Sequence, residues 1–483
     1  MELVMDKSSI IFGNKIDDKT ISKANKSKAK FIKKFGDDSN KEYHLGMQPI
    51  SQINEIKMQN LVFADEPLSL PEKPLVVGNI RMGFGHYRIS MAIASCAQAL
   101  GYTPLWLDLA SFDATGSKMI RSQNDLYSMG SRLSQKIGLF NKLYWEPLNS
   151  EGFRQITYNA GDQKNAELLV PIFNDLPKDI PYVATHVWPA QGAVHAGLTH
   201  VVNAIPDNWP MGLHLAEGSI HTVQTAFAYL GYKMLNGFAK HPLKPMPDDV
   251  LFNVGHYVDH ELVANIEADC DARLERINSR APIRFLMTVG GAGAGADLYL
   301  AMAKHLMNYV KEGKATLIIN FGDHLAMWDV LKNSIPELEK NCRTYFDKYD
   351  ELHDFVEKID DAPGQIVAVC NKDIFEAVYS TNLLMRKCDV LVTKPSELSF
   401  YPVPKLMMRH IGGHEVYGAI HAQEIGDSTF ECETKEALCN MIDTLINDKA
   451  ILRSMCANIK RLKTEGVYDG GYKVVKLAAG EEL

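Results

Sequence analysis

PLVVGNIRMGFGHYRISMAIASCAQALGYTPLWLDL, residues 74–109, holds one complete structural unit. It opens with PLVVGNI, a short apolar, β-branched run of the kind that forms a buried strand. Glycines at 83 and 85 come next, and SMAIASCAQAL is then small and apolar enough for a buried helix. After Gly101 and Tyr102, TPLWLDL reads as a second strand. A right-handed crossover places these two strands parallel in one sheet. Further strands are expected at PYVATH (181–186), THVVNAI (199–205) and SIHTV (219–223), with amphipathic segments between them. A second series starts at Pro282, where APIRFLMTVGG runs into GAGAGAD and the helical DLYLAMAKHLMNYVKEG. Strands ATLIINFG, QIVAVC, CDVLVTK and PKLMMRH alternate with helical segments after it.

Two such series predict an α/β protein of two doubly wound Rossmann-like lobes facing a cleft. The expected divisions are an N-terminal extension over 1–73, a first lobe over 74–262, a linker over 263–281, a second lobe over 282–450 and a helical segment over 451–483. The extension is expected because residues 1–73 are polar, aperiodic and end in the proline-punctuated EPLSLPEKP.

Composition narrows the function. Of 483 residues, 51 are basic, 59 acidic and 46% hydrophobic, an ordinary globular balance. No apolar stretch reaches the roughly 18 residues of a membrane-spanning helix, and MELVMDKSSI lacks the layout of a secretion signal. A cytoplasmic location is expected. The eight cysteines are scattered without a C-x-x-C pair, so neither a zinc ribbon nor a disulfide framework is indicated. Residues 19–34 carry seven lysines and no acid, leaving about −15 on the remainder, which disfavours nucleic-acid binding by the body. The lysine run reads as a solvated arm or as a contact for acidic lipid or a phosphate-bearing partner.

The glycine turns are the chemical candidates. In GNIRMGFGHYR (78–88), Gly83 and Gly85 let the backbone approach a ligand at a helix N-terminus, where unpaired N–H groups favour an anion. His86 then serves as general base or phosphate donor, or it merely caps the turn. Arg88 binds an anion or pairs with a surface carboxylate. In TVGGAGAGAD (288–297), Gly291 and Gly293 offer amides to a diphosphate, against tight helix-strand packing as the alternative. No Walker lysine follows, and the dinucleotide pattern fits poorly. Histidines at 186, 195, 200, 214 and 221 lack metal-ligand spacing, so no metal and no cofactor are expected. The loop IPDNWPMGLH (205–214) sets Asp207, Trp209 and His214 at a strand's carboxyl end, where ligands of open α/β sheets gather; a structural loop around a buried tryptophan is the alternative.

In order, GFGHYRISMAIASCAQALGY, VVNAIPDNWPMGLH, NVGHYVDHELV, MTVGGAGAGA, INFGDHLAMWDVL, CDVLVTKPSELS and VPKLMMRHIGGHEVYGA resemble segments of the GT-B glycosyltransferases. The group most similar contains the monogalactosyldiacylglycerol synthases, the processive diacylglycerol glucosyltransferases and the peptidoglycan N-acetylglucosaminyltransferase. The resemblance implies metal-independent hexosyl transfer from a nucleotide-sugar donor on the second lobe to a hydroxyl acceptor, a lipid among the candidates, on the first. It implies catalytic roles for His86 and Asp207. Gly83, Gly85, Arg88, Gly291, Gly293, Thr393, Lys394, Ser396, Glu397, His414 and Glu415 would bind donor and substrate. Peripheral contact with a membrane is a further implication. The chain departs from the family where Gly-Gly follows Thr-Lys-Pro, having Ser396 and Glu397, and its stretch from Thr393 to Pro404 is about six residues shorter. Those departures leave two alternatives, a non-catalytic binding protein with a degenerate donor site and a sugar-nucleotide epimerase.

Overall fold

The computed structural model describes residues 6–137, 140–145, 147–289 and 295–483. A two-residue hairpin, β1 (Ile10–Ile11) with β2 (Asn14–Lys15), precedes the first lobe's sheet. That sheet is built from β3 (His44–Pro49), β4 (Gln59–Ala64), β5 (Pro74–Asn79), β6 (Thr103–Asp108), β7 (Tyr182–Ala184), β8 (Val201–Ala204), β9 (Ile220–Val223) and β10 (Leu251–Asn253). The strands lie in the order β10-β9-β8-β7-β5-β6-β4-β3, parallel throughout except for the β3–β4 pair at one edge. Its principal helices are α1 (Asp18–Phe35), α2 (Gly85–Ala99), α3 (Thr115–Lys136), α4 (Ile156–Ala166) and α5 (Val187–His195).

The second lobe follows α6 (Ile266–Ser279). Its sheet comprises β11 (Ile283–Thr288), β12 (Ala315–Asn320), β13 (Cys342–Phe346), β14 (Ile366–Cys370), β15 (Val390–Thr393) and β16 (Lys405–Met407). The order is β13-β14-β12-β11-β15-β16, entirely parallel. Among the helices that follow β11 are α7 (Ala296–Lys311), α8 (Ile374–Lys387), α9 (Val416–Ile425), α10 (Lys449–Thr464) and α11 (Gly470–Ala478). All six residues of β11 and all six of β12 are buried, because helices cover both faces of a parallel sheet and leave no solvent side for alternating polar residues. Each Val, Leu or Ile so buried contributes about 1.5–3 kcal/mol.

At its end the chain returns to the first lobe. Helix α10 packs on α6 and α11 packs on α2, so α2 is enclosed on nearly every side. Position 471 needs glycine: a Cβ there would stand 2.7 Å from Cys96 Sγ. Nearby, His256 Nδ1 donates to the Phe400 carbonyl at 2.8 Å, and the buried Lys405 ammonium meets Asp427 at 2.7 Å. Lys405 also donates to the Tyr401 and Val403 carbonyls, at 2.8 and 3.1 Å. Every ammonium proton is therefore used, the condition on which a buried ion is tolerated. This network fixes the short segment between Thr393 and β16.

Residues 1–73 were expected as an extension ahead of the first folded unit. In the structure they contribute β3 and β4 to the first sheet, and α1 packs on α4. The Asp175 carboxylate fastens this segment by accepting from the Leu45 and Leu68 amides, at 2.9 and 2.8 Å. The strands are hard to read because β3 and β4 each bury a single residue, Leu45 and Leu61, and leave the others partly open at the sheet edge. No helix among the described residues is long and apolar enough to cross a membrane.

Candidate functional site

In each sheet the strand order reverses at one place, between β5 and β7 in the first and between β11 and β15 in the second. Neighbouring strand ends diverge at such a point and leave a crevice. Both crevices open into one cavity of about 750 Å³ between the lobes. Loops after β5, β7 and β8 form one wall, and the ends of β11, β12 and β15 form the other.

On the first wall, the turn after β5 passes Gly83 at φ +78° and starts α2 at Gly85. His86 Nδ1 lies 2.7 Å from the Thr185 carbonyl at the end of β7. A carbonyl only accepts, so Nδ1 carries the proton and the neutral ring keeps its lone pair on Nε2. Ser90 steadies the same corner, with Oγ 2.8 Å from the His86 carbonyl and 2.7 Å from Thr185 Oγ1. The His186 ring meets His86 edge-on at 4.8 Å; burial, then the neighbouring His86 and His214, hold His186 well below the usual imidazole range. Asp207 sits 3.2 Å from His214 Nε2. Burial lowers His214 to about 4, against the pull of Asp207. Above that pH the neutral ring donates to the carboxylate. Of the five histidines grouped in the sequence, three bond away from the cavity: His195 to Gln163, His200 to the Asp179 carbonyl and His221 to the Ser219 carbonyl. Among the described residues no three His, Cys, Asp or Glu side chains are grouped to hold a metal ion.

On the second wall, Thr393 and Lys394 end β15 and line the cavity with Ser396, Glu397, His414 and Glu415. Lys394 forms no ion pair with any described residue. Gly291 and Gly293 lie outside the described residues.

Three candidates are engaged differently from the sequence expectation. The Arg88 guanidinium, expected to meet an anion, reaches across to α8, donating to Asn382 Oδ1 and Thr381 Oγ1 at 3.0 Å each. Its burial at the start of α2 leaves it facing the other lobe rather than solvent. Glu415 turns back on its own loop, accepting from the Ile411 amide at 2.7 Å and the Gly412 amide at 3.3 Å. Glu397 spans the cleft: a side chain at Gly85 would collide with its carboxylate. The negative charge of Glu397 is thereby delivered to the first turn of α2, the positive end of a helix.

Several wall residues were not singled out from sequence. Phe84 packs against Gly322 and meets the His324 ring at 5.9 Å, while Arg81 pairs with Asp323 at 3.3 Å. At the other end of the cleft, Trp209 stacks on Tyr417 at 4.5 Å, with the Arg154 guanidinium 4.5 Å from the indole. Trp209 is thus part of a lobe-to-lobe fastening rather than the cavity wall. The aromatic residues Tyr127, Trp145, Phe153, Tyr158 and Trp188 also line the cavity.

Two facing Rossmann-like lobes, with the site between their strand ends and the last helix folded back onto the first lobe, define a GT-B-like α/β protein. Residues 10–234 match the family described as domain of unknown function DUF6937, and residues 246–479 match domain of unknown function DUF6938. No curated protein matches the chain. Among solved structures, a UDP-GlcNAc 2-epimerase from Neisseria meningitidis bound to UDP-GlcNAc is 10% identical, with 84% of this chain and 100% of that one covered and a TM-score of 0.45. A glycosyltransferase from Rickettsia africae is 11% identical over 85% and 100%, TM-score 0.41. A UDP-forming α,α-trehalose-phosphate synthase from Burkholderia vietnamiensis is 11% identical over 84% and 100%, TM-score 0.43.

Proposed function

We propose that the protein is a metal-independent glycosyltransferase that moves a sugar from a nucleotide-sugar donor, seated on the second lobe, to a hydroxyl acceptor seated on the first. The observation that carries this reading is the single cavity joining the two crevices, with His86 on one wall and Lys394 on the other. In the proposed step the acceptor oxygen attacks the sugar's anomeric carbon and the bond from that carbon to the diphosphate breaks. The acceptor proton passes to His86 Nε2, which the Thr185 carbonyl keeps unprotonated in the neutral ring. The bonding pair leaves with the nucleoside diphosphate, whose charge Lys394 meets at the end of β15. Asp207 faces the positive charge that develops on the sugar carbon. Glu397 leans onto α2, which removes the like-charge conflict that a carboxylate beside the diphosphate would create.

The test is binding of UDP by calorimetry, followed by incubation with UDP-, GDP-, ADP- and dTDP-sugars and analysis of released diphosphate. Saturable binding of one nucleoside diphosphate, and sugar transfer abolished by His86→Ala in a protein of unchanged melting temperature, are expected. Failure of all four nucleotides to bind, or conversion of the sugar nucleotide without any acceptor, overturns the reading.

A further inference from the structure

The acceptor is the unassigned partner of this reaction, and the first wall of the cavity is chemically selective about it. Away from His86, the wall is built by α3, Trp145 and residues 147–158, which present Tyr127, Trp145, Phe153 and Tyr158 among the amides Gln123, Asn124 and Asn149. The rings are arranged by their neighbours. Tyr127 and Trp145 lie 5.1 Å apart, and Tyr127 OH donates to Asn149 Oδ1 at 3.2 Å. Asn149 Nδ2 in turn donates to the Trp145 carbonyl at 2.8 Å. Gly130 on α3 makes room for the indole, since a Cβ there would overlap the Trp145 ring. Phe153 meets Tyr158 edge-on at 4.9 Å. Gln123 Nε2 is buried and has no hydrogen-bond partner among the described residues, and Gln123 itself lines the cavity.

Charge is the second independent observation. A phosphorylated or carboxylated acceptor needs a free cation or an open helix N-terminus. On this wall Arg81 is paired with Asp323, Arg88 is tied to Asn382 and Thr381, and the start of α2 is covered by the Glu397 carboxylate. No described lysine of the first lobe is among the residues that line the cavity. What the wall offers is ring faces for C–H groups and amides for hydroxyls, the complement of a pyranose.

Resting on the glycosyltransferase reading, we infer that the acceptor is an uncharged sugar unit, whose ring lies against Tyr127 and Trp145 and whose hydroxyls meet Gln123 and Asn149. A free glycoside and the headgroup of a glycolipid share that chemistry.

The experiment is saturation-transfer NMR and tryptophan fluorescence on the full chain without nucleotide. The probes are methyl β-glucoside, methyl β-galactoside and methyl N-acetyl-β-glucosaminide, with glucose 6-phosphate as the charged competitor. At least one methyl glycoside is expected to bind saturably in the millimolar range, and more tightly than glucose 6-phosphate. Trp145→Ala should weaken it about ten-fold, and Tyr144→Ala, at an exposed position outside the cavity lining, should leave it unchanged. Should Trp145→Ala fail to fold, Gln123→Leu, similar in size, is expected to weaken binding at least about three-fold. Repeating the titration with vesicles carrying glucosyl diacylglycerol separates the two sources: enhancement over methyl glucoside marks the headgroup, equality marks the free glycoside, and either supports the inference. Absence of binding by every methyl glycoside up to about 50 mM, or preference for glucose 6-phosphate, overturns it. UDP binding measured on the same sample keeps the outcomes apart. UDP binding without glycoside binding refutes only the acceptor class, whereas glycoside binding without any nucleotide binding refutes the transferase.

Discussion

At the turn after β5, groups from the opposite lobe are already in place: the Glu397 carboxylate lies on Gly85, and Gly322 with His324 receives Phe84. At the end of β15 the situation is reversed, because Lys394 faces the cavity with no ion-pair partner among the described residues. Both places are strand ends at a switch point, and both would serve an anion equally well on fold alone. What separates them is satisfaction. The first turn has had its positive end neutralised by the protein and is left to position His86, while the second keeps an uncompensated cation. On the proposed reading, anion binding and proton transfer then fall to different lobes.

The largest effect expected from this division is at His86. His86→Ala should reduce transfer about 10²–10⁴-fold with little change in affinity for the nucleotide, as read from kcat and from calorimetry with UDP. A variant that lost nucleotide affinity instead would put the anion back on the first turn. Lys394→Ala should do the opposite, weakening UDP binding about ten- to a hundred-fold, since a charge-assisted contact is worth about 1.5–3 kcal/mol. Equal UDP affinities for Lys394→Ala and the parent protein would erase the contrast between the two strand ends.

How far this division was legible beforehand depends on the kind of signal each residue leaves. The β5-turn-α2 unit and the fully buried β11, β12, β14 and β15 announce themselves because buried parallel strands leave near-continuous hydrophobic runs. His86, Asp207, Thr393 and Lys394 were found because they stand next to such runs. Arg88 lines the cavity, but its engagement with α8 was not legible, since a contact between residues 88 and 382 has no local trace. The same holds for Glu397. Its position in sequence suggested a clash with a diphosphate, and only the approach of the other lobe shows where its charge goes. Edge strands β3 and β4 escaped notice because each buries one residue and so carries almost no pattern.

A steric test sharpens the comparison further. Gly85→Ala inserts a methyl group where the Glu397 carboxylate lies, and it should destabilise the closed arrangement by about 1–3 kcal/mol, the usual cost of overpacking. The companion change Glu397→Ala should restore most of that loss, because it removes the group that collides. Thermal or urea unfolding of the two single variants and the double variant measures the coupling directly. Additive effects would mean that Gly85 and Glu397 do not meet in solution.

The most gradual expected effect, about 1.4 kcal/mol per pH unit, concerns the histidines that the first lobe keeps neutral. His221 on β9 donates from Nδ1 to the Ser219 carbonyl at 3.1 Å and accepts from the Ala216 amide on Nε2 at 3.0 Å, so a second ring proton would destroy the bond from Ala216. Burial, opposed by the bond to Ser219, accordingly lowers it to about 3. An unfolded histidine titrates near 6.5, so between roughly pH 6.5 and 3 the unfolded chain holds a proton that the folded chain lacks. Stability from this residue is therefore complete above that window and is lost as pH falls through it, by about 1.4 kcal/mol per pH unit. Asp162, raised by burial to about 7, has the opposite sign: its folded form keeps a proton that the unfolded carboxylate has released, so its contribution grows as pH falls from 7 toward 4. The two slopes partly cancel in the parent protein, and the difference between variants is the quantity to measure. His221→Gln should flatten the acid side of the stability profile by about 1.4 kcal/mol per pH unit between pH 6 and 4, and Asp162→Asn should steepen it by a similar amount. Parallel profiles for His221→Gln and the parent would show that His221 is protonated in the folded lobe, and that its bond from Ala216 is not formed.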